Sequence, residues 1–139
     1  MRTTLLAALA LVLAACAHGT THAASASDPV AEPPRPGIAR VWHGRVPAAR
    51  ADEYAAYLAS AVTKFRTLPG NLGYELLRDE AGPETHFMVV SYWTTKGAIR
   101  AYAGDDIAKT RSLPRDPEFL IEPEPTVRNY ELAVQDLAR

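Results

Sequence analysis

Two carboxylates near the end of the chain, Glu122 and Glu124, alternate with two prolines, Pro123 and Pro125. Paired acids can act as general acid and base only where burial or a close partner shifts their pKa values. Each proline removes an N–H donor and holds the residue before it extended. The pattern therefore predicts a stiff, solvated lead-in to a last strand. Its glutamates would blunt the sheet edge with charge or meet arginines of a partner subunit. His43 is the best candidate base, because imidazole titrates near neutral pH; the alternative is a strand histidine facing solvent or bonded in an interface. Tyr92 and Tyr102 carry hydroxyls that could orient a polar group. Trp42, Tyr92, Trp93 and Phe119 could stack on an aromatic substrate, or serve as core and interface anchors that need no ligand.

Other chemistries lack their residues. The chain has four histidines and one cysteine. His18 and His22 stand at i, i+4 spacing, but Gly19 lies between them and no third ligand accompanies them; His43 and His86 are separated, so no metal site is expected. There is no glycine-rich nucleotide fingerprint and no G-x-S-x-G, and no cofactor is expected. A net charge of −1 with 22% charged residues supplies no basic stripe for nucleic acid.

The elements that must position these residues follow from periodicity. At 139 residues there is room for one domain with tails. Ile38 to Val46 reads as a strand, and the stretch after it carries Tyr54, Leu58, Ala61, Val62 and Phe65 as one helical stripe. Asp52 and Glu53 suit that helix's first turn, and Pro69-Gly70 stops it. "NLGYELLRD" and "THFMVVSYW" predict a hairpin. "TTKGAIRAYAG" predicts a helix with Thr94 or Thr95 as N-cap, Ile99, Tyr102 and Ala103 buried, and Gly104 as C-cap. "DDIAKTRSLP" reads as a further short helical piece capped by Asp105 and Asp106. Arg115 to Pro125 reads as extended, and "TVRNYELAV" as the last strand. The order β-α-β-β-α-β is the ferredoxin-like α+β arrangement, a four-stranded antiparallel sheet with helices on one face. Both strand faces are partly apolar, which predicts a homodimer with sheets packed face to face.

The N-terminus has its own logic. Arg2 and the apolar run Leu5 to Ala15 have signal-peptide length, shorter than the roughly 20 residues of a membrane span. The run ends in Leu13-Ala14-Ala15-Cys16, which resembles a bacterial lipobox. Cleavage before Cys16 would leave residues 1–15 as the signal peptide and Cys16 as the lipidation site; the alternative is an ordinary signal peptide cut near Ala24, with secretion to the periplasm. Ala17 after the cysteine, by analogy with Gram-negative lipoproteins, favours a lipid anchor in the outer membrane facing the periplasm. Residues 16–37, with four prolines and Val30 as the one sizeable aliphatic, read as a disordered tether. The domain spans 38–134 and a tail 135–139.

Four stretches, "ARVWHGRV", "TLPGNLGYELLRDE", "SYWTTKGAIRAYAGDDI" and "FLIEPEPTVRNYEL", resemble the antibiotic biosynthesis monooxygenase superfamily of dimeric α+β barrel proteins. The resemblance covers Ile38 to Ala133. It is similar to a small bacterial subgroup in which a histidine often precedes the tail tyrosine; here that position is Asn129. The wider superfamily includes cofactor-independent oxygenases acting on activated phenols or quinols, haem-degrading enzymes, and proteins with no known reaction. The haem-degrading branch ligates iron through a histidine on its second helix, and Thr94 to Leu120 contains none. The resemblance thus implies a cofactor-independent monooxygenase acting on a small aromatic or quinol-like compound bound between sheet and helices. A non-catalytic binding or structural module of the same fold is the alternative. Such an oxygenase needs an apolar pocket, a base, and donors for an oxyanion. His43, Tyr102 and Asn129 are the candidates. Asn129 and Arg128 point to opposite faces of their strand, and the uncharged Asn129 is the cheaper of the two to bury in that cavity.

Overall fold

The computed structural model describes residues 32–136. The expected signal peptide, Cys16, the tether up to residue 31 and the tail from residue 137 lie outside the described residues. Strand β1 (Ile38–Pro47) leads through a 3-10 turn into helix α1 (Ala51–Val62), which runs on as a 3-10 stretch over Thr63–Thr67. A hairpin of β2 (Asn71–Ala81) and β3 (Glu84–Trp93) follows, then α2 (Lys96–Ala103), the short α3 (Asp116–Phe119) and β4 (Arg128–Glu131). The strands form one antiparallel sheet in the order β2-β3-β1-β4. This is the ferredoxin-like arrangement, with one additional short helix.

The two sheet faces differ. Burial along β3 alternates with period two: Thr85, Phe87, Val89, Ser91 and Trp93 are buried and the residues between them are not. In register with them on β1 lie Val46, Gly44, Trp42, Arg40 and Ile38. Helix α1 lays Tyr54, Leu58 and Val62, four residues apart, onto Val46, Phe87 and Val89 as the main core. Ile99 of α2 packs with Ile38 and Trp93 as a second core. The opposite face carries Val41 and His43 of β1, Met88, Val90 and Tyr92 of β3, and Leu77 of β2, with Leu77 and Met88 exposed.

Helix ends obey local chemistry. Asp52 and Glu53 occupy the first turn of α1. Thr95 caps α2 by accepting the Ala98 N–H at 3.1 Å, and Gly104, at φ 88°, closes it. Gly70, at φ 78°, turns the chain close under α2, where a Cβ would stand 2.5 Å from that of Ala98.

Three expectations need correction. Residues 105–114 form no helix. The Asp106 carboxylate accepts the Ala108 N–H at 3.0 Å, a local turn that competes with helix. The backbone then pairs with the C-terminal segment, through Thr110 N–H to the Pro125 carbonyl and Val127 N–H to that of Ala108. Arg115–Pro125 is not wholly extended, because Asp116–Phe119 coils into α3, with Pro117 in its first turn. The last strand is shorter than "TVRNYELAV": Thr126 bridges Lys109, and only Arg128–Glu131 pairs with β1.

Candidate functional site

A cleft opens between the sheet and α1. Its floor is Arg40 and Trp42 of β1 with Val89 and Ser91 of β3; its walls are Tyr54, Leu58 and Val62 of α1 and Phe65 beyond it. Tyr102, Arg111, Leu113, Asp116 and Val127 close the remaining sides. The enclosed space is narrow, about 50 Å³, well below the roughly 300–1,000 Å³ span of small-molecule pockets, so a ligand must use the open mouth as well. Val62, Phe65, Tyr102, Arg111 and Leu113 also line an adjoining groove of about 520 Å³, so the cleft enters from between the end of α1 and the 111–114 segment.

Local packing explains the shape. Gly44 lies beside Trp42 on the same face of β1, and a Cβ there would stand 2.4 Å from the indole Cη2, so the glycine is what lets the ring lie down. Tyr102 stacks on Trp93 at 5.8 Å and 23° and meets Phe65 edge-on at 5.3 Å. Trp93 itself is fully buried and donates its indole N–H to Ser91 Oγ at 2.9 Å. An ion-pair network of Arg50, Glu53, Arg115 and Glu118 ties α3 to the start of α1. Arg50 also covers the Phe119 ring at 4.0 Å. This clamp holds Asp116 against the cleft.

Two ionisable groups stand out for their burial. Asp116 is 4% exposed. Its Oδ1 accepts the Tyr54 hydroxyl at 3.0 Å and its Oδ2 the Leu113 N–H at 2.7 Å. Desolvation raises its pKa above the ordinary carboxylate range, against the pull of those two bonds. Tyr54 is driven far up in turn, by burial first and by the adjacent carboxylate second. Arg40 is 5% exposed. It donates to the Ile107 carbonyl, to the Lys109 carbonyl at 3.0 Å and to Asn129 Oδ1 at 3.3 Å. Burial lowers its pKa; Tyr102 opposes that, Arg111 adds to it and Asp106 opposes it. Tyr102 is raised by burial, with Arg40 and Arg111 pulling the other way.

The sequence matches the family described as antibiotic biosynthesis monooxygenase over residues 38–110, just over half of the chain. The chain belongs to this family. No curated protein matches it. Among solved structures, it is similar to a protein of unknown function from Nitrosomonas europaea, with 20% identity and TM-score 0.56, covering 76% of this chain and 98% of that one. A haem-degrading protein from Mycobacterium tuberculosis is similar at 21% identity and TM-score 0.52, over 75% and 99% of the two chains. A conserved protein from Methanosarcina mazei gives 18% identity and TM-score 0.53, over 70% and 93%. At such identities the likeness establishes the fold.

Within this antibiotic biosynthesis monooxygenase domain, the residues expected at the site separate. Trp42 and Tyr102 line the cleft. Asn129 shares the helix-side face but stands behind Arg40, accepting from it while donating to the Ile107 carbonyl at 3.0 Å; it steadies the arginine rather than lining the space. Trp93 and Phe119 are core residues: Trp93 lies beneath Tyr102, and Phe119 packs between Tyr54 and Tyr57. His43 and Tyr92 require correction as cavity residues. Both fall on odd-parity positions relative to Trp42 and Trp93, so the two-residue repeat turns them to the opposite sheet face. There His43 Nδ1 bonds Glu124 at 2.9 Å and its Nε2 meets His86 Nδ1 at 3.3 Å, while the Tyr92 hydroxyl donates to Glu75 at 3.2 Å. Glu122 pairs with Arg45 at 2.8 Å, so the two glutamates find their partners within the same chain.

Arg40 and Asp116 were not singled out by sequence reasoning. Arg40 sits mid-strand at a core-facing position, where a charged residue breaks the apolar alternation; that break was the readable signal. Asp116 precedes Pro117, a helix-start pattern that would have placed a turn and its acid there.

Proposed function

We propose that the domain is a small-molecule oxygenase that works without a bound cofactor, taking a small aromatic or quinol-like compound in the cleft between sheet and α1. The observation that carries this reading is a desolvated carboxylate, Asp116, facing an apolar, aromatic-walled space that also holds the Tyr102 hydroxyl. A carboxylate whose pKa is raised is a stronger base once ionised, and it can take a proton from an activated carbon acid. Tyr102 would donate to the oxygen on which the resulting anion's charge gathers, and Trp42 would stack on the ring. For an activated methylene, proton loss gives a carbanion that adds dioxygen and forms a peroxide. Cleavage of the O–O bond with loss of the second C–H proton leaves a carbonyl, and the other oxygen departs as water.

The assay is oxygen uptake by the full chain with hydroxylated polycyclic substrates. Asp116→Asn should lower kcat by about 10²-fold or more, the scale of one acid–base group, with Tyr102→Phe less severe. Uptake unaffected by either change sinks this assignment of roles. Much of the cleft volume belongs to its mouth, and that narrowness favours a second reading, a non-catalytic module that binds small molecules. Ligand binding with no oxygen uptake would select it.

Two further parts of the proposal concern assembly and place. The exposed apolar face with Leu77, Met88 and, on β4, Tyr130 supports a face-to-face homodimer; a monomer at micromolar concentration in sedimentation would overturn it. The lipobox-like Leu13-Ala14-Ala15-Cys16 supports a lipid anchor, with the domain facing the periplasm from the outer membrane. Cys16→Ser should then release the protein from the membrane fraction, and retention there would count against the anchor.

A further inference from the structure

Arg40 is an unusual thing to place in this cleft. A buried guanidinium is ordinarily held by a carboxylate, because an uncompensated charge in a low-dielectric site is expensive. The three oxygens that Arg40 reaches belong to two backbone carbonyls and the Asn129 amide, and all three are neutral. They fix the orientation of the fork and leave its charge in place. Among the described residues no carboxylate lies in ion-pair range of it. Asp106 acts on it only from a distance, being exposed and engaged with the Ala108 N–H. Asp116 lines the same cleft but makes no ion pair with Arg40; each of its oxygens commits one lone pair, to Tyr54 or to the Leu113 N–H.

A second cation reinforces the first. Arg111 stands at the shared rim of cleft and groove, its guanidinium 5.3 Å from the centre of the Tyr102 ring. The cleft is thus polarised: Arg40, Arg111 and the Tyr102 hydroxyl gather on one side, the Tyr54–Asp116 pair on another, and apolar side chains fill the space between.

We infer that the cleft is a site for aromatic carboxylates, a small ring system lying on Trp42 with its anionic group seated against the Arg40 fork and Arg111 closing behind it. The planar guanidinium offers parallel N–H donors that match a carboxylate better than a single hydroxyl. The anion would supply the charge that the protein leaves unpaired. This deepens the proposed function, and it rests on the cleft being the ligand site.

Isothermal titration of the full chain at low salt and neutral pH tests it with two probes of the same ring system, 2-naphthoate and 2-naphthol, only the first of which is charged. The carboxylate should bind at least about tenfold more tightly, as expected for a hydrogen-bonded charge pair over a neutral one. Arg40→Met should bring that ratio to within about threefold while sparing 2-naphthol. Arg111→Gln, at an exposed position whose bond is to the Tyr102 carbonyl, should lower the ratio by about threefold, the scale of a partly exposed pair. Equal binding of the two probes by the unaltered protein overturns the inference and leaves an aromatic cleft standing. A preference for naphthoate untouched by Arg40→Met places the anion elsewhere and also overturns it; should that variant not fold, an unchanged ratio in Arg111→Gln overturns it in the same way. If neither probe binds, the proposed function falls together with the inference. Selective naphthoate binding without any oxygen uptake removes the oxygenase reading and keeps this one.

Discussion

Removing the Tyr54 hydroxyl isolates the energetics of the buried acid. In Tyr54→Phe the ring keeps its packing, edge-on to Phe87 at 5.4 Å and tilted to Phe119 at 5.1 Å. Asp116 Oδ1 loses its one side-chain donor, while Oδ2 keeps the Leu113 N–H. A hydrogen bond to a charged group contributes about 1.5–3 kcal/mol, and a neutral one about 1 kcal/mol. The loss should therefore be larger where Asp116 is ionised. Its folded-state pKa lies above the unfolded value, so its ionisation opposes folding: the native state holds the proton longer, and stability falls as pH rises through the folded pKa. The Tyr54 bond limits that rise, and removing it moves the folded pKa further up. Tyr54→Phe should cost about 1 kcal/mol at pH 4 and about 2–3 kcal/mol at pH 7.5, the latter a fall in Tm of about 10 °C or more for a domain of this size. Urea titrations at the two pH values measure both numbers, with the slope m as a check on two-state behaviour. An equal cost at the two pH values, or one below about 0.5 kcal/mol throughout, would refute the charged Tyr54–Asp116 pair.

Gly44→Ala drives a methyl into the Trp42 indole, which must swing into the cleft. Overpacking of this kind costs about 1–3 kcal/mol, and 2-naphthoate affinity should drop several-fold in titration; unchanged affinity would mean that Trp42 does not shape the site. Gly70→Ala combines a positive φ with a clash against Ala98, and should cost about 2 kcal/mol or more in denaturant unfolding. His43→Ala removes a half-exposed pair with Glu124, so stability should change by under about 1 kcal/mol and 2-naphthoate affinity by less than twofold. A large loss of cleft binding in that variant would return His43 to the site.

Much of the fold was legible because it rests on local repeats. The apolar spacing of Tyr54, Leu58 and Val62 set one helical face, and the alternation of Phe87, Val89 and Trp93 set one sheet face. Thr95 and Gly104 marked the ends of α2 through side-chain and backbone chemistry that needs no distant partner. The segment 105–127 resisted such reading because its structure is borrowed. Its hydrogen bonds run to Arg40, to Arg45 and between its own two halves, and no local period records them.

The site shows the same division. Residue chemistry marks His43 as a candidate base on a strand, yet strand parity relative to the sheet decides which side it serves, and the helices lie on the other. The Glu122-Pro123-Glu124-Pro125 run was readable as a backbone device; that its acids close onto Arg45 and His43 depends on where the segment crosses β1. By itself, then, the sequence determined the order of the four strands with α1 and α2, and the apolar faces, since each follows from neighbours within a few residues. Only the tertiary structure decided the site. Burial and partner geometry arise between segments far apart in the chain, and they alone turn Arg40 into a buried cation with no carboxylate partner among the described residues, and Asp116 into a desolvated acid.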